Sequence, residues 1–258
     1  MSIAHDALRD DPAFVRRKIS VDHVFGTTFR IWARRRRRVL LVGALLVGPS
    51  VLLDYGLPYL MEVGGLGALF GLGVPLRIAV VGALWAGIAP MVLDELRGTT
   101  TPLGPARFLA LLLRAGLGSL LFGLLVGMGA LGLMLPGIVI AILLYVLVPC
   151  AMFNRGREAG INHAAKLTKG FRWRLALVGL VVVVAYFAAQ GAGQALMGLL
   201  APALVEALGE GGARFALEVL DCGVRCLVVS PLVIISTTVV FHALSPQDRR
   251  AEIDRVFG

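Results

Sequence analysis

The stretch RIWARRRRRVLLVG, Arg30 to Gly43, sets five consecutive arginines, Arg34 to Arg38, directly against the start of a long apolar run. Such a block can grip nucleic acid, address a chain to a nucleus, or hold one end of a membrane helix on one side of a bilayer. The flanks decide. A helix needs roughly 20 apolar residues to cross the hydrocarbon core, and the run from Val39 reaches residue 61. The block lacks the interleaved aromatics of a nucleic-acid stacking platform. It therefore reads as the charged flank of a membrane span, and no nucleic-acid partner is expected.

Composition extends that reading to the whole chain. Of 258 residues, 58% are hydrophobic and 16% charged, against about 45 to 50% and about 25% in soluble domains. The expected fold is all-α, a polytopic membrane bundle of six spans at 39–61, 72–93, 115–134, 136–153, 175–200 and 222–244, with a polar tail at 1–18 and a second at 245–258. A cleavable signal peptide is not expected, because a long, mostly polar stretch precedes the first run. Ser245-Pro246 offers an N-cap and a proline for a short charged helix to Phe257.

The net charge of +9 is spent on placement. Ten lysines and arginines precede the first run, three lie from Asp94 to Arg114, six from Asn154 to Arg174 and three beyond Leu244, so 22 of the 25 fall on one side of a six-span chain. Short loops rich in positive charge stay in the cytoplasm. Both termini are accordingly expected there. Anionic headgroups attract each such residue by about 1 kcal/mol, which makes Arg34 to Arg38, with Trp32 beside them, the candidate lipid-headgroup site.

Before the first run, Val21, Val24, Phe25, Thr28, Phe29 and Trp32 recur at helical spacing and predict an amphipathic helix in the interface plane. Residues 105–114 and 160–173 precede the third and fifth runs in the same way, which suggests a threefold repeat of interfacial helix plus hairpin. Glycines such as Gly67, Gly116, Gly118, Gly123 and Gly127 suit close helix approach. Pro49, Pro90, Pro149 and Pro231 fall inside runs and are expected to kink or open them.

Reaction chemistry is absent from the motifs. Gly127-Met-Gly-Ala-Leu-Gly132 matches a dinucleotide fingerprint but lies inside an apolar run with no strand before it. The four histidines are scattered. Cys222 and Cys226, with Glu218 a turn earlier, share a helix face that could hold a soft metal, yet no histidine or third cysteine adjoins them, and two membrane-buried thiols account for the spacing more simply. No cofactor, metal or enzymatic activity is expected. Gln190 and Gln194 suit interhelical hydrogen bonds. Asp54, Arg77, Asp221 and Arg225 all fall near the outer ends of their runs; the reading taken forward is that they converge in an outer polar cluster, the alternative being that each simply marks a helix end in headgroup water.

Leu135-Pro-Gly-Ile-Val-Ile-Ala-Ile-Leu-Leu-Tyr-Val-Leu-Val-Pro149, followed by Gly160-Ile-Asn-His-Ala-Ala-Lys-Leu-Thr-Lys-Gly170 and Trp173-Arg174, resembles a bacterial polytopic family. That family includes the membrane domain of some glycerophosphodiester phosphodiesterases and related inner-membrane proteins. His163 and Ala164 stand where its pattern has Arg and Ser. The phosphodiesterase catalytic domain has no counterpart in this chain, so the resemblance implies a membrane module without its own active site. The expected function is thus a non-enzymatic module that engages anionic lipid and a protein partner, the alternative being a transporter or exporter subunit.

Overall fold

The computed structural model describes residues 19–56, 58, 70–132, 134–154 and 160–245, and among these all regular structure is helical. The polar tail, the expected helix after Ser245, the end of the first run and Gly67 lie outside the described residues. Helix α1, Val21–Val51, starts at Ser20, whose hydroxyl accepts from the His23 amide, and ends in a π-helical turn, Leu52–Gly56. Helix α2, Phe70–Arg97, stops where Gly98 takes φ 66. Helix α3, Pro105–Gly132, is followed by α4, Met134–Leu143, α5, Leu147–Phe153, and α6, Ile161–Thr168. Helix α7, Arg172–Val224, leads through a second π-helical turn, Arg225–Val229, into α8, Ser230–Leu244.

Among the described residues, four stretches are long and apolar enough to cross a membrane: Val21–Gly56, Pro75–Arg97, Pro105–Met128 and Arg172–Leu244. The last is not one rod. Gly209 has φ 70, a left-handed conformation that side-chain-bearing residues avoid, and the chain reverses there. Gln190 meets Asp221, and Val182 and Tyr186 line one pocket with Val229 and Val233, so the two arms run antiparallel.

The expected fourth run is broken by a turn at 144–146, between α4 and α5. Pro149 explains the place, because its ring excludes the carbonyl four residues earlier and it has no amide to donate. At Pro49 and Pro231 the chain stays helical, and a π-helical turn lies beside each. Pro90 is accommodated within α2.

The interfacial helices are a correction. No cap or breaker separates residues 21–38 from the first run, and arginine is a good helix former, so α1 passes from one into the other without interruption. Residues 105–114 likewise belong to α3. Only α6 stands apart, released by Gly170 at φ 88, and the three units are therefore not alike. The buried stripe of α1 is also rotated: Val24, Thr28 and Ile31 are buried, whereas Phe29 is 55% exposed.

Helix α8 is the centre of the bundle, packed on α1 and α2, with α3 outside α2 and α7 outside α1. Its Ser236, Thr237 and Thr238 are buried but bond back to the carbonyls of Val233 and Ile234, which satisfies them locally. The exterior is apolar: Leu109, Leu113, Leu117, Leu124 and Met128 along α3, and Leu180, Val184 and Phe187 along α7, are exposed. Apolar surface this extensive on a soluble monomer would drive association. Facing lipid, it is the expected exterior.

Candidate functional site

Helices α1 and α2 run antiparallel, and charges tie them together at both ends. At one end Glu95 accepts from Arg35 Nε at 2.9 Å and from Arg34 Nη1 at 3.3 Å, with Arg35 Nη2 also in contact. At the other, Arg77 Nη2 lies 3.0 Å from Asp54 Oδ1. Asp54 follows Arg35 by 19 positions and Glu95 follows Arg77 by 18, about 27 to 29 Å of helix at 1.5 Å per residue. The hydrocarbon core of a bilayer is about 30 Å thick. The two ion-paired layers are spaced to flank it.

The arginine block is thus divided. Arg34 and Arg35 are engaged with Glu95, while Arg36, Arg37 and Arg38 are exposed and carry no ion pair among the described residues. Trp32 packs half-buried against the core, and its indole nitrogen finds no acceptor among the described residues.

The second layer is a network from three parts of the chain. The Arg225 guanidinium lies 2.7 Å from Asp221, 3.0 Å from Asp54 and 3.7 Å from Glu218. Gln190 reaches across from the first arm of the hairpin to donate to Asp221 at 2.8 Å. Cys222 is fully buried, with its sulfur 3.5 Å from Arg225 Nη2 and 3.9 Å from Asp54 Oδ2. Both π-helical turns sit here, one carrying Asp54 and the other starting at Arg225. Such turns insert an extra residue and re-aim the side chains around it. Beside the network opens a cavity of about 230 Å³ lined by Ser50, Asp54, Arg77, Cys222, Arg225, Cys226 and Ser230 over a floor that includes Leu53, Val80 and Leu84.

The four residues singled out in the sequence, Asp54, Arg77, Asp221 and Arg225, therefore lie within one network. Gln190 makes an interhelical bond, whereas Gln194 on the same arm is exposed.

The chain matches no protein-family model, no curated protein and no solved structure.

Two members of these layers escape sequence reasoning. Glu95 is one of several acids at a loop edge, and its partners lie 60 and 61 positions away. Glu218 is legible only as a neighbour of the cysteines; its place beside Asp54 depends on how α1 and the hairpin pack. No local pattern encodes either pairing.

Proposed function

We propose that this chain is a non-enzymatic integral membrane module of the bacterial inner membrane, crossing six times with both termini cytoplasmic and engaging anionic lipid and a protein partner. The observation that carries the reading is the division of the arginine block. Arg34 and Arg35 hold α2, and Arg36 to Arg38 remain exposed beside the lipid-facing Leu40 and Leu41, where anionic headgroups lie. Six crossings follow if each arm of the hairpin and the broken α4–α5 segment count separately. The charge asymmetry then supports the orientation. The likeness of Leu135 to Gly170 to the membrane domain of glycerophosphodiester phosphodiesterases fits a module that works beside a partner.

The test separates the two halves of the block. Full-length protein is reconstituted into vesicles of zwitterionic lipid with and without anionic lipid, and lipid selectivity is read from the bound lipid after extraction. Replacing Arg36, Arg37 and Arg38 by Gln is expected to abolish a preference for anionic lipid. Unchanged selectivity in that variant would sink the lipid reading. A second reading, a transporter or exporter subunit, is favoured by one observation, the polar cavity between α1, α2 and the hairpin. Solute flux across the same vesicles, absent when Arg225 is replaced, would favour it.

A further inference from the structure

We propose that the cavity beside the outer charge network binds the head of one outer-leaflet glycerophospholipid, of the kind whose phosphodiester carries an ammonium group. The lining is graded along the helices. Asp54, Arg77 and Arg225 lie at the level of the ion-paired layer, Ser50 and Ser230 about one turn nearer the bilayer centre, and Val80, Val81 and Leu84 follow Arg77 along α2. From Arg77 to Leu84 is about 10 Å of helix at 1.5 Å per residue. A glycerophospholipid presents the same order of chemistry over that depth: phosphate, ester carbonyls, then the start of the acyl chains. The two π-helical turns border the cavity, one through Leu53 and Asp54 and the other through Arg225 and Cys226. Such turns are frequent at functional sites.

Two of the lining side chains hold unused donors. Arg77 gives one N–H to Asp54 and has no other partner among the described residues, with its side chain 65% exposed. A guanidinium presents a fork of donors that matches phosphate, so most of this one is free for an incoming phosphodiester. The Ser230 hydroxyl makes no hydrogen bond among the described residues, although Ser236, Thr237 and Thr238 on the same helix all bond back to backbone carbonyls. Polar groups left without a partner at hydrocarbon depth are costly, and a lipid ester carbonyl supplies the acceptor. Charge selects the headgroup. Asp54, Glu218 and Asp221 carry three negative charges against two positive on Arg77 and Arg225, so a net anionic head meets an excess of like charge, whereas a zwitterionic head brings its own cation. The preference is thus opposite to that of Arg36 to Arg38. The proposal rests on the bilayer placement given above and is independent of the arginine block.

The test uses the full chain in nanodiscs of phosphatidylethanolamine and phosphatidylglycerol in equal amounts. The protein is released into mild detergent, and the lipids retained per chain are counted by native mass spectrometry. One phosphatidylethanolamine per native chain is expected. Arg77→Gln should lower its occupancy by more than about tenfold, as the loss of a hydrogen bond to a charged group does, and leave retained phosphatidylglycerol unchanged. Replacing Arg36, Arg37 and Arg38 by Gln should do the reverse, which keeps the failure of one lipid site distinct from the failure of the other. Native-like retention of phosphatidylethanolamine in Arg77→Gln, or none in the native chain, overturns the proposal. Val81→Trp fills the cavity and leaves every charge in place. Should Arg77→Gln not fold, it decides instead, and native-like retention there overturns the proposal as well. Soluble glycerophosphoethanolamine in excess should not displace the lipid, since it lacks the chains that Val80, Val81 and Leu84 contact; displacement would overturn the lipid in favour of a soluble solute.

Discussion

Arg225 and Arg77 both pair with Asp54, but they do so from different surroundings. The Arg225 side chain is 35% exposed and serves three carboxylates; that of Arg77 is 65% exposed and serves one. Removing Arg225 leaves Asp221 and Asp54 largely buried without their main counter-charge. Arg225→Gln is therefore expected to lower stability by roughly 2 kcal/mol, in the range for hydrogen bonds to charged groups. Arg77→Gln should cost less than about 1 kcal/mol, the range of exposed pairs. Thermal unfolding of the purified protein in one detergent checks the order, and equal Tm losses would show that the network is not centred on Arg225. The convergence of these residues was partly legible in the sequence, since the lengths of the apolar runs place all of them near one membrane boundary. Which of them carries the network was not legible, because depth is a property of one helix and partnership a property of several.

Among the elements, α2 and α3 cross with little room between their backbones. A Cβ at Gly82 would stand 2.5 Å from the Leu112 carbonyl oxygen, and one at Gly116 would stand 2.7 Å from Ile78 Cγ2. Backbone cannot yield as a side chain can, so Gly82→Ala is expected to destabilise by about 1 to 3 kcal/mol, the cost of overpacking. A Cβ at Gly123, on the same helix α3, would meet no neighbouring atom within 4 Å among the described residues. Gly123→Ala should accordingly be neutral or stabilising by up to about 1 kcal/mol through helix propensity. Unfolding temperatures of the two variants test the contrast. Both glycines looked alike in sequence, as small residues in an apolar run; only the crossing point separates them. The hairpin turn makes a related case. Gly209→Val should cost about 1 to 3 kcal/mol, the strain of holding a side-chain-bearing residue in a glycine-only backbone region, and a variant with native Tm would mean that the reversal does not depend on that glycine.

At the scale of the whole molecule, the two ion-paired layers and the lipid-facing leucines describe a slab about as thick as a bilayer core. The hairpin continues past the second layer, since Gly209 lies well beyond Gln190 and Asp221 on both arms. On the proposed topology, its tip is expected on the far side. A reporter active only outside the cytoplasm, fused after Leu200, should give signal, and the same reporter after Gly258 should give none. Signal at Gly258 would place the C-terminus outside and overturn the proposed topology.

The amino-acid sequence by itself determined the class of this protein. Apolar runs long enough to span a bilayer can only be satisfied as helices when no water is there to bond the backbone, and that constraint acts on each segment separately. It likewise located the charges that flank the runs and the proline that breaks the α4–α5 segment. Only the tertiary structure decided the rest. Arg34 and Arg35 find Glu95 because α1 and α2 lie antiparallel at a particular rotation, and Asp54 meets Glu218 and Cys222 because the π-helical turn of α1 faces the second arm of the hairpin. In lipid there is no hydrophobic drive to set those rotations. They follow from contacts such as Gly82 against Leu112 and Gly43 against the Cys226 carbonyl, which exist only once the helices have met.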